Sequence, residues 1–521
     1  MVSSSLGMAK EALFYLIPQD DESRTIVKDN PKYQSRCKSI LSLRVEAGNS
    51  SRHPGRVLSL GRLKQINHIV LYLQGMPEQQ CSFQLSPAGE LMLEDATTGH
   101  HTTIRCTDSR GNIIDKYRLQ GDPRRRVIPM DRNLPLFIWL GSKIHFRFVW
   151  GDSFIRNVDT ARKALFSIAE KTKVVGGATL QPQRSLNPAQ IEIEPKSPNA
   201  PVVPIDLDKQ PLRQTHTYKV LGEGAFGRVS LAVDLASGEL FAVKECKKRT
   251  KKADFKVEVE QLAKLRHPNI VKLEHHQGWV EGMTVQIFLP LYDGSLTKLL
   301  PEHRCGREFP SKPPKWLGHF IDQVLSGLAF MHDKKIMHRD LKPDNILYKG
   351  SGSQLTFVIS DFGLATSAKN IKDVGGTLVY LAPEATREGI MTRATDVYAF
   401  GLLLLEVLGR YCPREGDARF LSVADWRKKL ETNLKLTTLK EKCRKYQDRA
   451  PLRNPFLAGF EARHGRVQSL SDCKLLRPSV EEILREDLKK RSTAAEARVG
   501  LLKDYEPSML AKERKVVRDR R

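Results

Sequence analysis

The chain reads as multidomain, an N-terminal all-β sandwich joined to a larger α+β unit, and three observations lead there. Its 521 residues exceed what one hydrophobic core holds at roughly 100–200 residues per domain. Short apolar runs of strand periodicity recur through residues 1–150, separated by segments carrying Gly, Pro, Asn and Asp. Seven prolines then fall between 182 and 211, fixing φ and removing backbone donors, so that stretch is expected to be an extended, mobile spacer. The resulting division is 1–150 for the sandwich, 151–212 for a helix and proline-rich linker, 213–486 for the α+β domain and 487–521 for a basic tail.

Within the first division, Ile144-His-Phe-Arg-Phe-Val-Trp150 alternates large apolar Ile144, Phe146, Phe148 and Trp150 with other residues, the period of a half-buried strand. Residues 12–17, 57–60, 68–73, 90–93 and 136–140 are predicted strands on similar grounds, and many short strands with turn punctuation argue for a sandwich. Leu60-Gly61-Arg62, Cys81-Ser-Phe-Gln-Leu85 and Asp95-Ala-Thr-Thr-Gly-His-His-Thr102 together resemble a forkhead-associated domain, a phosphothreonine-binding sandwich. The chain departs from that family where members carry Ser-Arg-x-His, here Glu78-Gln79-Gln80-Cys81, and where they carry Asn-Gly, here His100-His101. The resemblance therefore implies a degenerate module that retains Arg62, near Thr97 and Thr98, as its main phosphate contact. Such a module is expected mainly to dock or position the larger α+β unit, without binding phosphothreonine tightly; a phosphoprotein or acidic docking partner is a separate expectation.

Residues 157–171 hold helix formers with Ala161, Leu165, Ile168 and Ala169 at near-helical spacing and Asp159 as a plausible N-cap, which predicts a short helix.

Composition excludes several classes. The eight cysteines contain no Cys-x-x-Cys pair, so neither a zinc ribbon nor a disulfide framework is indicated and a reducing compartment fits. The best apolar run, 400–408, is shorter than the roughly 18–20 residues of a membrane span and carries Glu406, so no span is expected. No secretory signal is visible, and a cytoplasmic or nuclear location, or both, is the expectation. A net charge of +25 is compatible with nucleic acid or with solvated basic faces, and direct nucleic-acid binding is not predicted. Residues 427–453 hold ten Lys/Arg against three Asp/Glu, either a solvated helical face or a docking surface for acidic partners. The basic runs 247–252 and 512–521 are two candidate nuclear-import signals.

The α+β division opens with Leu221-Gly222-Glu223-Gly224-Ala225-Phe226-Gly227-Arg228-Val229, set between β-rich runs. Its glycines permit a tight turn whose backbone amides lie close enough to cover phosphates. A strand, Leu240-Phe-Ala-Val-Lys244, follows it, which argues against a dinucleotide-binding turn, where a helix would come next. Farther on come His338-Arg339-Asp340-Leu341-Lys342-Pro343-Asp344-Asn345, Asp361-Phe362-Gly363 and Ala382-Pro383-Glu384.

These motifs, in this order, resemble the eukaryotic protein kinases of the serine/threonine type over roughly half the chain, and the resemblance implies a bilobal α+β kinase fold. It assigns Asp340 as catalytic base, Asn345 and Asp361 as Mg2+ ligands, and Lys342 as the cation beside the γ-phosphate of ATP. Residues 221–229, with Ala242 and Lys244, would hold ATP, and Glu258 would pair with Lys244; Glu260 is the alternative two residues on. The hinge falls within 285–296, with Phe288 or Leu289 behind the adenine pocket. Lys342 and Thr377 imply transfer to serine and threonine of protein substrates, in signalling. Arg339 implies a grip on a phosphate at Thr366 or Ser367. Asp396 would bond the catalytic-loop backbone, and Arg477 would pair with Glu384. The alternative is a phosphopeptide-binding or scaffold protein in which the kinase domain is catalytically secondary.

Overall fold

The structure, a computed structural model, describes residues 11–46, 56–175, 212–246, 252–300, 314–367, 375–407, 482–483 and 491–503, with a few one- to four-residue breaks. The proline-rich spacer, Ala225, Phe226, the basic stretch 427–453, Arg477 and the tail 512–521 lie outside the described residues. The chain divides into two compact units, Met1–Gly224 with Arg228–Glu245, and Ala225–Gly227 with Cys246–Arg521. The division does not follow the spacer: the first strands of the glycine-rich segment belong to the unit that contains the sandwich.

In the first unit come β1 (Ala12–Pro18), α1 (Asp21–Asp29), β2 (Gln34–Cys37), β3 (Ile40–Glu46), β4 (Arg56–Gly61), β5 (Ile69–Val70), β6 (Cys81–Leu85), β7 (Leu91–Asp95), β8 (Thr102–Thr107), β9 (Ile113–Arg118), β10 (Arg125–Val127), β11 (Leu136–Leu140) and β12 (Ile144–Trp150). They form one sheet in the order β2-β3-β1-β12-β11-β8-β9 and a second in the order β10-β7-β6-β4-β5. This is the expected forkhead-associated-like sandwich. The alternation in β12 places Ile144, Phe146, Phe148 and Trp150 in the core, and Phe14 bridges the sheets, its ring 4.7 Å from Phe83 and 4.8 Å from Phe148. The predicted strand at 68–73 shrinks to Ile69–Val70. Helix α1, which strand periodicity did not reveal, starts at a capping box in which Asp20 Oδ1 accepts the Ser23 amide at 2.6 Å, while Asp20 Oδ2 accepts the His145 amide at 2.7 Å and ties the helix to β12.

The degenerate end of the sandwich is visible in its bonds. Arg62 is exposed just past β4, with its amide on the Pro77 carbonyl. Gln80, in the stretch that replaces Ser-Arg-x-His, is buried and donates to Thr102 Oγ1 at 3.0 Å, so a core bond takes up that position. Arg124, which sequence reading did not single out, donates to the Thr97 carbonyl at the same end.

After α2 (Asp152–Arg156), helix α3 (Val158–Val175) contains the predicted helical segment, but it is not part of a tether: Ala161 and Leu165 are fully buried in the sandwich core. Its first turn is capped by Asn157, whose Oδ1 accepts the Thr160 amide at 3.1 Å, in place of Asp159. Two further antiparallel strands, β13 (Thr215–Glu223) and β14 (Gly227–Asp234), complete this unit with most of β15 (Leu240–Cys246).

In the second unit, α4 (Lys252–Lys264), β16 (His275–Gln277), β17 (Gln286–Pro290) and β18 (Gly294–Ser295) precede α5 (Leu317–Asp333). The buried stripe of α5 runs through Phe320, Ile321, Val324, Leu325, Leu328 and Met331, the period of a helix set into a core. The β19 (Ile346–Ser351) and β20 (Gln354–Ile359) hairpin, α6 (Pro383–Arg387) and α7 (Arg393–Val407) complete it. The apolar run 400–408 supplies the C-terminal half of α7, where buried Glu406 accepts the Tyr380 hydroxyl at 2.7 Å. No helix among the described residues is long and apolar enough to cross a membrane.

Candidate active site

The segment between α5 and β19 is held from below by one side chain. Asp396, in the first turn of α7, is buried; its Oδ2 accepts the His338 amide and its Oδ1 the Arg339 amide, each at 2.9 Å, and His332 Nε2 lies 2.9 Å from Oδ2. Burial alone would raise the Asp396 carboxyl, but the hydrogen bond and charge of His332 outweigh it and hold the group below the usual carboxylate value. Arg339 is left-handed at φ 71°, a conformation costing a non-glycine residue on the order of 1–3 kcal/mol, and the amide bond to Asp396 offsets that strain. His338 Nε2 donates to the Ser360 carbonyl at 2.9 Å while its Nδ1 accepts the Asp340 amide at 3.3 Å, which fixes the ring as the Nε2–H tautomer.

Held in this way, Asp340 presents its carboxylate to four donors, the fourth of them on Asn345. Lys342 Nζ donates to Oδ2 at 2.6 Å; Thr377 donates to Oδ1 through its amide at 2.8 Å and its hydroxyl at 2.7 Å. Lys342 also reaches Thr377 Oγ1 at 3.1 Å, closing a ring of three residues. The turn carrying Thr377 needs Gly376, whose φ is 105° and where a Cβ would lie 2.4 Å from the Arg339 carbonyl oxygen. Asp340 lines a cleft with Leu381, Ala382 and Met391, a carboxylate beside an apolar floor.

Asn345 donates through Nδ2 to the Asp340 carbonyl at 2.7 Å and Oδ2 at 3.2 Å, leaving its amide oxygen as an available ligand atom. The Asn345 carbonyl accepts the Ser360 amide at 2.8 Å, so Asn345 and Asp361 are brought side by side at the open end of the hairpin. Asp361 is itself left-handed at φ 62°, and the next residue, Phe362, is buried with its ring edge-on to His338 at 5.4 Å. An amide oxygen and a carboxylate are hard oxygen donors, the set that Mg2+ prefers.

The other expected site residues fall as follows. In the second unit, Glu258 is buried on α4 while Glu260 is half-buried, and Phe288 is buried while Leu289 is half-buried. In the first unit, Lys244 is buried on β15, with Ala242 two residues before it, and β13 brings Leu221, Gly222 and Glu223 to the turn. Gly222 and Gly224 face open space, where a Cβ would meet nothing within 4 Å. Arg228 and Val229 follow on β14. Arg339 donates to the Leu364 carbonyl at 3.3 Å; Thr366 exchanges backbone bonds with Met337 at 2.9 and 3.0 Å and is half-buried, whereas Ser367 is exposed.

One expected pairing is corrected. Glu384 is held by Arg491, whose NH1 and NH2 donate to its two carboxylate oxygens at 2.6 and 3.0 Å in a buried bidentate pair. The resemblance of Leu476-Arg477-Pro478-Ser479 points to Arg477, but the signal lies in the run Arg491-Ser-Thr-Ala-Ala-Glu496, where Thr493 caps a helical turn with Glu496. Packing accordingly continues past residue 486, with Ala494, Ala497 and Leu501 in the main core.

Residues 215–499 match the family model described as protein kinase domain. The cytokinesis protein sepH of Aspergillus terreus is 35% identical over 193 residues, 36% of this chain and 14% of that protein. Calcium-dependent protein kinase 4 of Plasmodium berghei is 33% identical over 223 residues, 41% of this chain and 40% of that one. The matched stretch thus spans well under two thirds of either relative. A crystal structure of Rad53 1-466 in complex with AMP-PNP superimposes with a TM-score of 0.51 at 20% identity, covering 85% of this chain and 90% of that chain, a likeness of fold.

Replacing Asp396 with Asn should test how the loop is held. The folded carboxyl lies below its ordinary value of about 3.9, so its stabilisation is complete above that pH and is lost as pH falls through the lower folded value. Asp396→Asn is expected to cost at least about 3 kcal/mol at neutral pH, since two charge-assisted amide bonds weaken and an NH2 must face a donor. Denaturant titrations of both proteins should show that gap at pH 7 and a narrowing below about pH 4; an equal stability at pH 7 would contradict the role.

Proposed function

Because this chain belongs to the protein kinase family, we propose that it transfers the γ-phosphoryl group of Mg-ATP to serine and threonine hydroxyls of protein substrates. The observation that carries the reading is the ring of Asp340, Lys342 and Thr377, with Asn345 and Asp361 adjacent. Asp340 accepts the proton of the attacking hydroxyl and orients it, the hydroxyl displacing the longest of the present donors, Asn345 Nδ2 at 3.2 Å. Lys342, already 2.6 Å from that carboxylate, supplies positive charge beside the phosphoryl group as it moves. Asn345 and Asp361 would hold Mg2+, which when bound neutralises charge on the phosphates. Lys244 is the cation proposed to hold the nucleotide phosphates, and it is buried, as is Glu258. Gly222 at the end of β13 and Gly224 just past it, both open on their Cβ side, suit close approach of backbone amides to the nucleotide. Thr377 on the carboxylate supports the serine/threonine preference.

Asp340→Ala and Lys244→Met should each lower the initial rate of phosphate transfer to a generic basic protein by orders of magnitude while the protein remains folded. Full activity in either variant would remove the role assigned to that residue.

Activation is proposed to run through Arg339, whose guanidinium reaches the Leu364 carbonyl near the start of the segment bearing Thr366 and Ser367. Ser367, being exposed, is the hydroxyl that a modifying enzyme reaches more readily. A phosphate there would be gripped bidentately and would order the segment. Phosphatase treatment should then reduce activity, and the Thr366→Ala, Ser367→Ala double variant should be low and indifferent to phosphatase. Unchanged activity after dephosphorylation of a site demonstrated by mass spectrometry would overturn the switch.

A further inference from the structure

Glu90 is a fully buried carboxylate in the turn before β7, far in sequence from the catalytic motifs, and a buried charge persists only when paired. Its partners come from two other elements. Arg162 of α3 donates through Nε to Glu90 Oε1 at 2.5 Å, and the Tyr218 hydroxyl of β13 donates to Oε2 at 2.5 Å. The Arg162 guanidinium lies 4.2 Å over the Tyr218 ring, closing the cluster. Burial, followed by the Glu90 charge, pushes the Tyr218 phenol well up, so it remains a hydrogen donor.

Tyr218 occupies a special place on its strand. In the β13–β14 ladder Thr217 pairs with Ala232 and Lys219 with Leu231, so Tyr218 is left between them at a register break, and a second break follows between Val220 and Gly222. A bulge re-aims its side chain, and here the side chain points at Glu90 in the sandwich. Beyond Tyr218 the strand is mostly exposed, including Val220 and Leu221, until it delivers Gly222 and Gly224. Lys219 adds an outer tie, with Nζ 2.6 Å from Asp159 of α3. A strand with two ladder breaks, one paired neighbour among the described residues and few buried side chains has little else to fix its path.

We propose that Glu90, Arg162 and Tyr218 are positioning residues for nucleotide binding: the sandwich and α3 anchor β13 and thereby set the glycine-rich turn four residues on. The sandwich is then a working part of the catalytic module and not a separately tethered accessory. This rests on the phosphotransfer reading above, because the effect is read at the nucleotide. The interface around the cluster agrees. The Val127 amide donates to the Leu235 carbonyl at 2.8 Å, Arg126 to Gln214 Oε1 at 2.6 Å, and Met92, Val127, Val233 and Leu235 form an apolar cluster against Tyr218.

The test uses the full chain with Tyr218→Phe, which removes one hydroxyl, and Glu90→Gln, which keeps the shape and removes the charge. Hydrogen exchange at residues 219–224 is expected to quicken about tenfold in each variant. The KM for ATP should rise about threefold or more with kcat within about twofold, the split expected when binding is lost and chemistry is not. A purely structural role would lower kcat with the folded fraction and leave the KM unchanged. Unchanged exchange overturns the anchoring, and faster exchange with unchanged KM overturns its link to the nucleotide. A wild-type chain that fails to bind a fluorescent ATP analogue would sink the phosphotransfer reading instead, while exchange would still decide the anchoring.

Discussion

Much of the catalytic unit depends on the buried Asp396 carboxylate. It spends its acceptors on the backbone of His338 and Arg339, and that forces Arg339 into a left-handed turn that sends Asp340 toward the cleft. From there the constraints follow in sequence. The Nε2–H tautomer of His338 binds the Ser360 carbonyl, the Ser360 amide binds the Asn345 carbonyl, and Asp361 follows next in the chain. Gly376 lets the segment end return over the Arg339 carbonyl so that Thr377 can close on Asp340. Each link is a short polar bond in a buried setting, where an unmade bond costs more than a made one contributes, so the parts are expected to hold or fail together.

The chemistry was the most legible part of the sequence. His338 to Asn345, Asp361-Phe-Gly363 and Ala382-Pro-Glu384 announce themselves because phosphoryl transfer demands specific side chains at fixed local spacings, and local spacing is what a linear reading preserves. Glu258 is selected over Glu260 by counting back from His267-Pro-Asn-Ile-Val-Lys-Leu273, which resembles the family's loop after this helix; the two point about 200° apart, and the structure buries the first and half-buries the second. The sandwich could be read from β12, whose apolar residues alternate, and from short apolar runs such as β11. Helix α1 escaped because it is short and polar, and its start is marked only by Asp20 and Ser23.

What sequence reading missed are bonds between distant residues with no motif around them. Glu90 and Arg162 are 72 positions apart, and Glu90 and Tyr218 are 128 apart; the runs that hold Glu90 and Arg162 are legible as a strand and a helix, but nothing in them links one to the other. The proline-rich stretch suggested independent halves, whereas the compact units place β13 and β14 with the sandwich. The resemblance points to Arg477 as the partner of Glu384, whereas Arg491, which the sequence reading does not single out, makes the pair and is followed by a capped turn.

The central claim is phosphoryl transfer to aliphatic hydroxyls, and phosphoamino-acid analysis measures it most directly. Purified full-length protein would be incubated with radiolabelled Mg-ATP and a mixed protein substrate, and the acid hydrolysate resolved. The account predicts label in phosphoserine and phosphothreonine and none in phosphotyrosine; label confined to phosphotyrosine, or released only as free phosphate, would contradict it.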